Sequence, residues 1–600
     1  MVLNLVLGIL LLAPLSAWGF SLQEVAALQQ QASEKTLWQD PQWLRLGHYR
    51  DTFSGPKSPI KGSFFLSEDG STNPKSELLK TIEVFFSSKD NALQNQCRYL
   101  ARLSWLKRIL EIDEMLLVAC PEKDLWKRQL GAEELYLVFA ASDLNSAGSS
   151  FGHTFLRAHN PKNTKELELL DYGINFAAIT GEESGALYAL KGLFGFYPGA
   201  YSMLPYYQKI REYTNLEGRN LWEYKLALSP QEVSFLIDHL LELDGSYSDY
   251  YFLSDNCSQQ ILELIEVAKP QLRLSSQFHD ATIPLDTVKV LLKNSMLADE
   301  RLRMSLQAEW RTRYTALDRS ERRALKEIVK THHKQTLEKL NSEEKAHVLE
   351  ASLSYLAIQE YRDQKDLKNE KYALSVARAR LGKVTDPLVI PKPESPLLSS
   401  DSMGYYFGIG QFDQNSFYRF KFRRAFHDLL ANDSGLSPFS HLEILSFDFR
   451  YFPEFANTDL YEAVLLKTFS TAPINTLDTP VSWRLELGTL PKMAPYLNFG
   501  AGFSFDFPVL SATRLTLLGI SENSHLAETA RPHLGVETLF MTKTRQWRAL
   551  LSVKYLHETS MGHSFFEYKT GLATDLANIE FRFETKTRDD VPEFLASVIF

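Results

Sequence analysis

From Met403 to Phe600 apolar and polar residues alternate in one short segment after another, a period that only β-strands with two chemically different faces satisfy. Phe417 to Phe422, Leu442 to Phe452, Trp483 to Leu487, Trp547 to Tyr555, Phe565 to Leu572 and Ile579 to Phe583 are the clearest. About ten to twelve such segments fit the region, at the regular spacing of a barrel or a sandwich. Alternation alone does not separate a membrane barrel from a soluble sandwich, because each buries one face of its strands. Aromatic pairs at segment ends, Tyr405-Tyr406 and Tyr451-Phe452, suit the interfacial girdles of a barrel, and residues 401–600 are predicted to form one.

A membrane barrel requires export. The chain opens with an apolar run from Val2 to Leu12, then Pro14 and Ser16-Ala17-Trp18-Gly19, which reads as an apolar core followed by a small-x-small cleavage site before Phe20. A signal peptide over 1–19 is expected. An uncleaved anchor is the alternative, since no Lys or Arg precedes the apolar core. The final strand, ending on Phe600, resembles the closing strand of bacterial outer-membrane barrels, so the predicted location is the outer membrane with the remaining domains in the periplasm. That compartment is oxidising. Of three cysteines, Cys97 and Cys120 lie in one short segment and are predicted to pair, closing a loop worth roughly 3 kcal/mol. Cys257 is left as a free thiol, which in an exported protein calls for an explanation. The net charge of −9, with basic residues dispersed along the chain, argues against a nucleic-acid partner.

Ahead of the barrel the pattern changes three times. Residues 20–130 read as helical, with Leu22 to Leu28 and Leu93 to Ile112 clearest and a Gly/Pro/Ser-rich break at 54–75. Residues 131–275 mix strands (Leu135 to Ala140, His153 to Ala158, Leu167 to Phe176, Trp222 to Leu228) with helices, one of them opened by the capping box Ser229-Pro230-Gln231-Glu232 and closed by Gly245. An α+β domain is expected there. Residues 276–400 are charged and helical, ending in a linker from Pro387 to Ser400 with four prolines. Its His332-His333 pair points in two directions on a helix, and no carboxylate or cysteine pattern completes a site, so neither a metal nor another cofactor is expected.

Chemistry enters at Cys257. Ser254, Asp255 and Asn256 are all good N-cap residues, and Ile261, Leu264, Ile265 and Ala268 recur at helical spacing until Pro270 stops the run. Four residues before Ile261, Cys257 falls on the core-facing stripe of the first turn, where the helix dipole favours thiolate. A small buried hydrophobe is the plainer reading of an isolated cysteine. A second motif, Ser149 to Arg157, sets His153 at the start of a strand, a candidate base that only the fold can bring to Cys257. A satisfied core histidine is the plainer reading here too. Gly148 to Gly152 also fits G-x-S-x-G, but the residues that follow read as strand, whereas a hydrolase elbow needs a helix. Ser150 and Gly152 are therefore assigned to a tight loop admitting substrate beside His153.

These blocks, in order, carry a resemblance: Phe151 to Arg157, Tyr172 to Ala178, Gly195 to Gly199 followed by Ser202 and Leu204 to Tyr207, Arg219 to Tyr224, and Asp255 to Ser258. Together they resemble the periplasmic domain family named after the lipoprotein N-acyltransferase Lnb, across roughly 131–275. The resemblance implies a circularly permuted papain-like thiol fold in which the histidine strand precedes the cysteine helix. It implies Cys257 as nucleophile and His153 as base. The orienting third residue is expected on the next strand, where Asn175 and Asp171 share a face, so parity leaves both open; Asn175 belongs to a matching block and is preferred.

The chemistry so implied is two-step acyl transfer on a lipid or lipoprotein, through a thioester on Cys257, with backbone N–H groups at the helix start and Asn256 or a tyrosine holding the oxyanion. The aromatic, glycine-rich 193–207, including Tyr201 and Tyr206, suggests an apolar lid for acyl chains, against a plain reading as core packing. A thiol amidase or peptidase acting on peptidoglycan would use the same pair, and a noncatalytic outer-membrane structural protein is the third possibility.

Overall fold

Twelve strands between Gly404 and Ile599, each antiparallel to its neighbours, close on themselves when Tyr406 pairs with Ile599. The structure is a computed structural model. It describes residues 22–600 other than 115–116, 143–149, 165–166, 182–184, 280, 332–334, 386–387, 389, 508–511, 525–530, 545, 561 and 577–578. The predicted signal peptide and the His332-His333 pair lie outside the described residues. Closure settles the choice that alternation left open: the region is a barrel and not a sandwich.

The two faces of the barrel differ as a membrane demands. Phe407, Ile409, Tyr418, Phe499, Val536 and Phe583 stand exposed on the outside. Lys421, Arg450, Arg484, Glu537 and Glu593 point inward and are buried, and Arg419 points inward half-buried. Several inward charges pair across strands that are not neighbours, Arg450 with Glu593 at 2.8 Å, Arg484 with Glu537 at 2.6 Å and Lys554 with Glu522 at 2.7 Å. The loop 428–440 closes over the lumen at the end where the termini of the barrel lie, while its Leu436 packs against the α+β domain. Asp428 accepts from Arg582 (2.9 Å), Asp433 pairs with Lys543 (2.6 Å), and the Leu430 carbonyl accepts from Arg548. A lumen spanned by ion pairs and closed over by its own loop leaves little room for an aqueous path. The purified protein in a planar lipid bilayer is therefore expected to pass no steady ion current; porin-sized conductance steps from the intact chain would contradict this.

The α+β domain is built on an eight-stranded antiparallel sheet. Its order is Leu297–Arg303, Leu221–Leu226, Glu134–Ala140, His153–His159, Tyr172–Ala178, Tyr197–Pro205, Ser246–Tyr250 and Lys61–Gly62, so it draws edge strands from both sides of 131–275. The helices Pro230–Glu242 and Cys257–Ala268 contribute Val233, Leu236, Ile261 and Ile265 to one core with Leu137, Leu156 and Trp222 of the sheet. The capping box at Ser229 and Glu232 forms, and Gly245 takes a φ of +74°. The strand predicted to begin at Leu167 begins at Tyr172, because Glu168–Leu170 makes one 3-10 turn first.

Helices Leu22–Glu34, Pro74–Phe86 and Leu100–Leu110 pack the N-terminal region, where Cys97 and Cys120 are disulfide-bonded. Helices between Leu306 and Arg380 form a further core around Leu325, Val348 and Leu349, and Tyr355 reaches the barrel, donating to Asp478 at 2.9 Å. No described helix is long and apolar enough to cross a membrane.

Candidate active site

Asn256 is the N-cap of the Cys257–Ala268 helix. Its Oδ1 accepts from the backbone N–H of Ser258 (2.9 Å) and Gln259 (3.3 Å), and its Nδ2 donates to the carbonyls of Phe252 (3.1 Å) and Thr282 (2.6 Å). A cap of this kind contributes about 1 kcal/mol, and here it also ties the helix start to two loops. Cys257 therefore occupies the first helical position, buried and free, at the positive end of the dipole.

The sheet delivers its partner. The ladder Leu156↔Ile174, continued toward the cleft, sets Asn175 diagonal to His153 on one face of adjacent strands. The His153 Nε2–H donates to Asn175 Oδ1 at 2.6 Å, which leaves Nδ1 for the thiol. Cys257 and His153 share a side-chain hydrogen bond. Parity had left Asp171 as the alternative third residue; it accepts instead from His159 Nδ1 (2.7 Å) and Asn163 Nδ2 (2.8 Å), at the far end of the same strand pair. The His153 ring is further fixed by stacking on Tyr213, centroids 5.7 Å apart.

Burial alone would raise the Cys257 thiol. The His153 charge and hydrogen bond, the Thr154 backbone N–H and the Ser258 hydroxyl outweigh it and bring the value down to about 6. Burial likewise lowers His153, but the Cys257 charge, its hydrogen bond and the Asn175 hydrogen bond raise it above the ordinary histidine value, against a smaller opposing push from Arg219. A thiolate and an imidazolium stabilise each other at this spot.

The pair opens on a cleft of about 220 Å³. Apolar Phe151, Ala178, Tyr188 and Phe252 line it together with Glu212, Glu217 and Arg219. Gly152 forms part of the wall with φ +88°; a Cβ there would meet the Phe139 ring at 2.7 Å and the Ala140 carbonyl at 3.1 Å, so only glycine lets the chain turn into the His153 strand. The residues after Ser150 and Gly152 are strand, His153–His159, which excludes the hydrolase elbow; Ser150 is buried and the wall begins at Phe151.

Three residues expected to contact substrate have other hydrogen-bond partners. Asn256 lines the cleft, but both of its N–H groups are engaged in capping, so it has no donor left for an oxyanion. Tyr201 turns away and donates to the Gln260 carbonyl at 2.9 Å. Tyr206 is buried in the core, donating to Glu223 at 2.7 Å. A residue not singled out in the sequence adjoins the thiol: Tyr250 lines the cleft, and its hydroxyl accepts from the Cys257 backbone N–H at 3.4 Å and hydrogen-bonds the Cys257 side chain. Among the described residues no group of three or more His, Cys, Asp or Glu side chains is arranged to hold a metal ion.

Residues 122–294 match the family described as the Lnb N-terminal periplasmic domain. Residues 35–109 and 393–590 match two domains of unknown function, DUF7843 and DUF7840. No curated protein matches the chain. Among solved structures it is similar to the KdgM porin, at 10% identity over 33% of this chain and 98% of the porin, with a TM-score of 0.22. The NanC porin is similar at 9% identity over the same shares, also at 0.22, and a loop-deletion mutant of OmpT of Vibrio cholerae at 7% over 33% and 97%, at 0.19.

Proposed function

We propose that this Lnb-type periplasmic domain, carried on an outer-membrane barrel, is a cysteine acyltransferase with the permuted papain-like arrangement, acting on a lipid or lipoprotein. The observation that carries the reading is the Cys257–His153–Asn175 constellation at a helix start, with thiolate and imidazolium both favoured. The Cys257 thiolate attacks an ester carbonyl. The Cys257 N–H and the Tyr250 hydroxyl, which give up their long 3.4 Å contact with each other as substrate enters, hold the oxyanion, the ester C–O bond breaks, and the departing alkoxide takes the proton from His153. An amine then attacks the thioester, His153 accepts its proton, and the amide leaves as the thiolate is restored. Water in place of the amine gives hydrolysis.

The test is intact-protein mass spectrometry after incubation with a diacyl phospholipid or a lipoprotein. An added acyl mass, mapped to Cys257 and released by hydroxylamine, is expected; an unmodified Cys257 under every donor would remove the reading. The charged lining residues Glu212, Glu217 and Arg219 are what a thiol amidase acting on peptidoglycan would use. Release of muropeptide fragments by the protein, dependent on Cys257 and without lipid acylation, would favour that activity instead.

A further inference from the structure

We propose that the ridge formed by the Gly185–Leu193 helix, with Ile179, Phe194 and Phe196 beside it, is seated in the periplasm-facing leaflet of the membrane that holds the barrel, and that acyl lipid reaches Cys257 from there. The delivery of lipid rests on the proposed acyltransferase reading. The seating does not.

The ridge is apolar and uncovered. Leu187 and Leu190 are each 53% exposed, Phe194 64% and Phe196 71%, a concentration that a surface bathed only in water seldom carries. From Gly185 to Pro198 the chain has no Asp or Glu and a single Lys, Lys191, so nothing in it repels an anionic headgroup.

Its position is set by the barrel. The Phe252 N–H donates to the Gly192 carbonyl at 2.8 Å, and the Phe252 and Tyr188 rings pack with centroids 5.1 Å apart. The next residue, Leu253, joins Phe151, Ala281 and Ile283 in one cluster with barrel residues that include Ile444 and Leu466. Those two are paired with each other, and Leu466 with Leu487. The adjacent rung, Glu443↔Lys467↔Glu486, carries inward charges, so Ile444, Leu466 and Leu487 belong to the outward row. The domain thus leans on wall that would otherwise face lipid, and the ridge stands beside that contact.

The cleft needs such an arrangement. At about 220 Å³ it is below the roughly 300–1,000 Å³ of sites that engulf a drug-sized ligand, so it takes a carbonyl and the start of a chain and no more. Tyr188 joins ridge to cleft, lining the one from the helix of the other. A lipid that kept its tails in the leaflet would pass only its ester past Tyr188.

The experiment uses the full chain with Cys257→Ser, reconstituted into phosphatidylethanolamine and phosphatidylglycerol vesicles, and spin-labelled singly at Phe194→Cys or Phe196→Cys. Val536→Cys on the barrel exterior is the lipid-facing control, and Leu125→Cys on an exposed N-terminal helix the aqueous one. Collision rates with oxygen and with a water-soluble nickel chelate are measured at each. Ridge labels with an oxygen-to-nickel ratio like that at 536, several-fold above that at 125, support the seating; a ratio like that at 125 overturns it. Catalysis plays no part in this measurement. On the Cys257 background, Leu187→Asp/Leu190→Asp is then expected to slow acylation by vesicle lipid at least tenfold and leave acylation by a short-chain soluble thioester unchanged. Equal loss with both donors, or loss with neither, overturns lipid delivery through the ridge. No acylation of the unmodified protein by any donor counts against the acyltransferase reading, with the spin labels still deciding the seating.

Discussion

Cys257→Ser abolishes the acyl-enzyme and His153→Ala comes close to it, each lowering acyl transfer by roughly 10⁴–10⁶-fold, while Asn175→Ala costs only about 10²-fold. The order follows from the geometry. The sulfur is the atom that bonds to substrate, and the imidazole is the partner that keeps it ionised and later protonates the leaving group. Asn175 touches neither sulfur nor substrate; it accepts from Nε2 at 2.6 Å and so fixes the tautomer and ring angle that aim Nδ1 at the thiol. The double variant Cys257→Ser/His153→Ala should be no worse than Cys257→Ser alone, because the two act as one unit. Single-turnover acylation followed by mass spectrometry separates these cases. Transfer undiminished by Cys257→Ser would mean that the chemistry is done elsewhere.

How much of this was legible depended on the range of each signal. The run Ser254-Asp255-Asn256 before an apolar stripe is local, and the helix begins at the residue it predicts. The period-two pattern after Met403 is local too, and it gives strands. It cannot give closure, which depends on Tyr406 meeting Ile599 almost two hundred residues later. The choice between Asn175 and Asp171 failed on parity for a related reason. By sequence both residues fall on one face of the expected strand, and only the fold, which sets Asn175 on the strand near His153 and Asp171 just ahead of it near His159, tells them apart.

The substrate wall was the least legible part. Tyr201 and Tyr206 sit in an aromatic, glycine-rich stretch that looks like a lid, yet their hydroxyls have partners away from the cleft, the Gln260 carbonyl and Glu223. Asn256 was expected at the oxyanion because it adjoins the nucleophile. The same adjacency makes it the helix cap, and a side chain holding four hydrogen bonds for that purpose has none to offer substrate. Tyr250 has no motif of its own. Ending the strand Ser246–Tyr250 shortly before the helix, it could have been suspected only by asking which nearby side chain the turn between strand and helix folds back over Cys257.

Alkylation of Cys257 by iodoacetamide is expected to rise with pH through a midpoint of about 6 and to stay level above it. The sign follows from the thiol being the acid: a lowered value means that the reactive anion is already present at neutral pH, at about nine tenths of the protein at pH 7. His153→Ala removes the charge and the hydrogen bond that hold the value down and leaves burial, which raises it. The midpoint then moves above the ordinary thiol range of about 8.5, and alkylation at pH 7 falls by roughly 30-fold or more. Acyl transfer needs thiolate and imidazolium together. Its profile should therefore be a bell, with an acid limb near 6 and an alkaline limb above the ordinary histidine value, both belonging to the pair and not to either residue. Asn175→Ala takes away a hydrogen bond that raises His153, so the alkaline limb should shift to lower pH while the acid limb changes less. Cys97 and Cys120, bonded to each other, stay silent throughout. An alkylation midpoint near 8.5 in the unmodified protein, unchanged by His153→Ala, would show that helix and strand bring the two groups together without joining them as an ion pair.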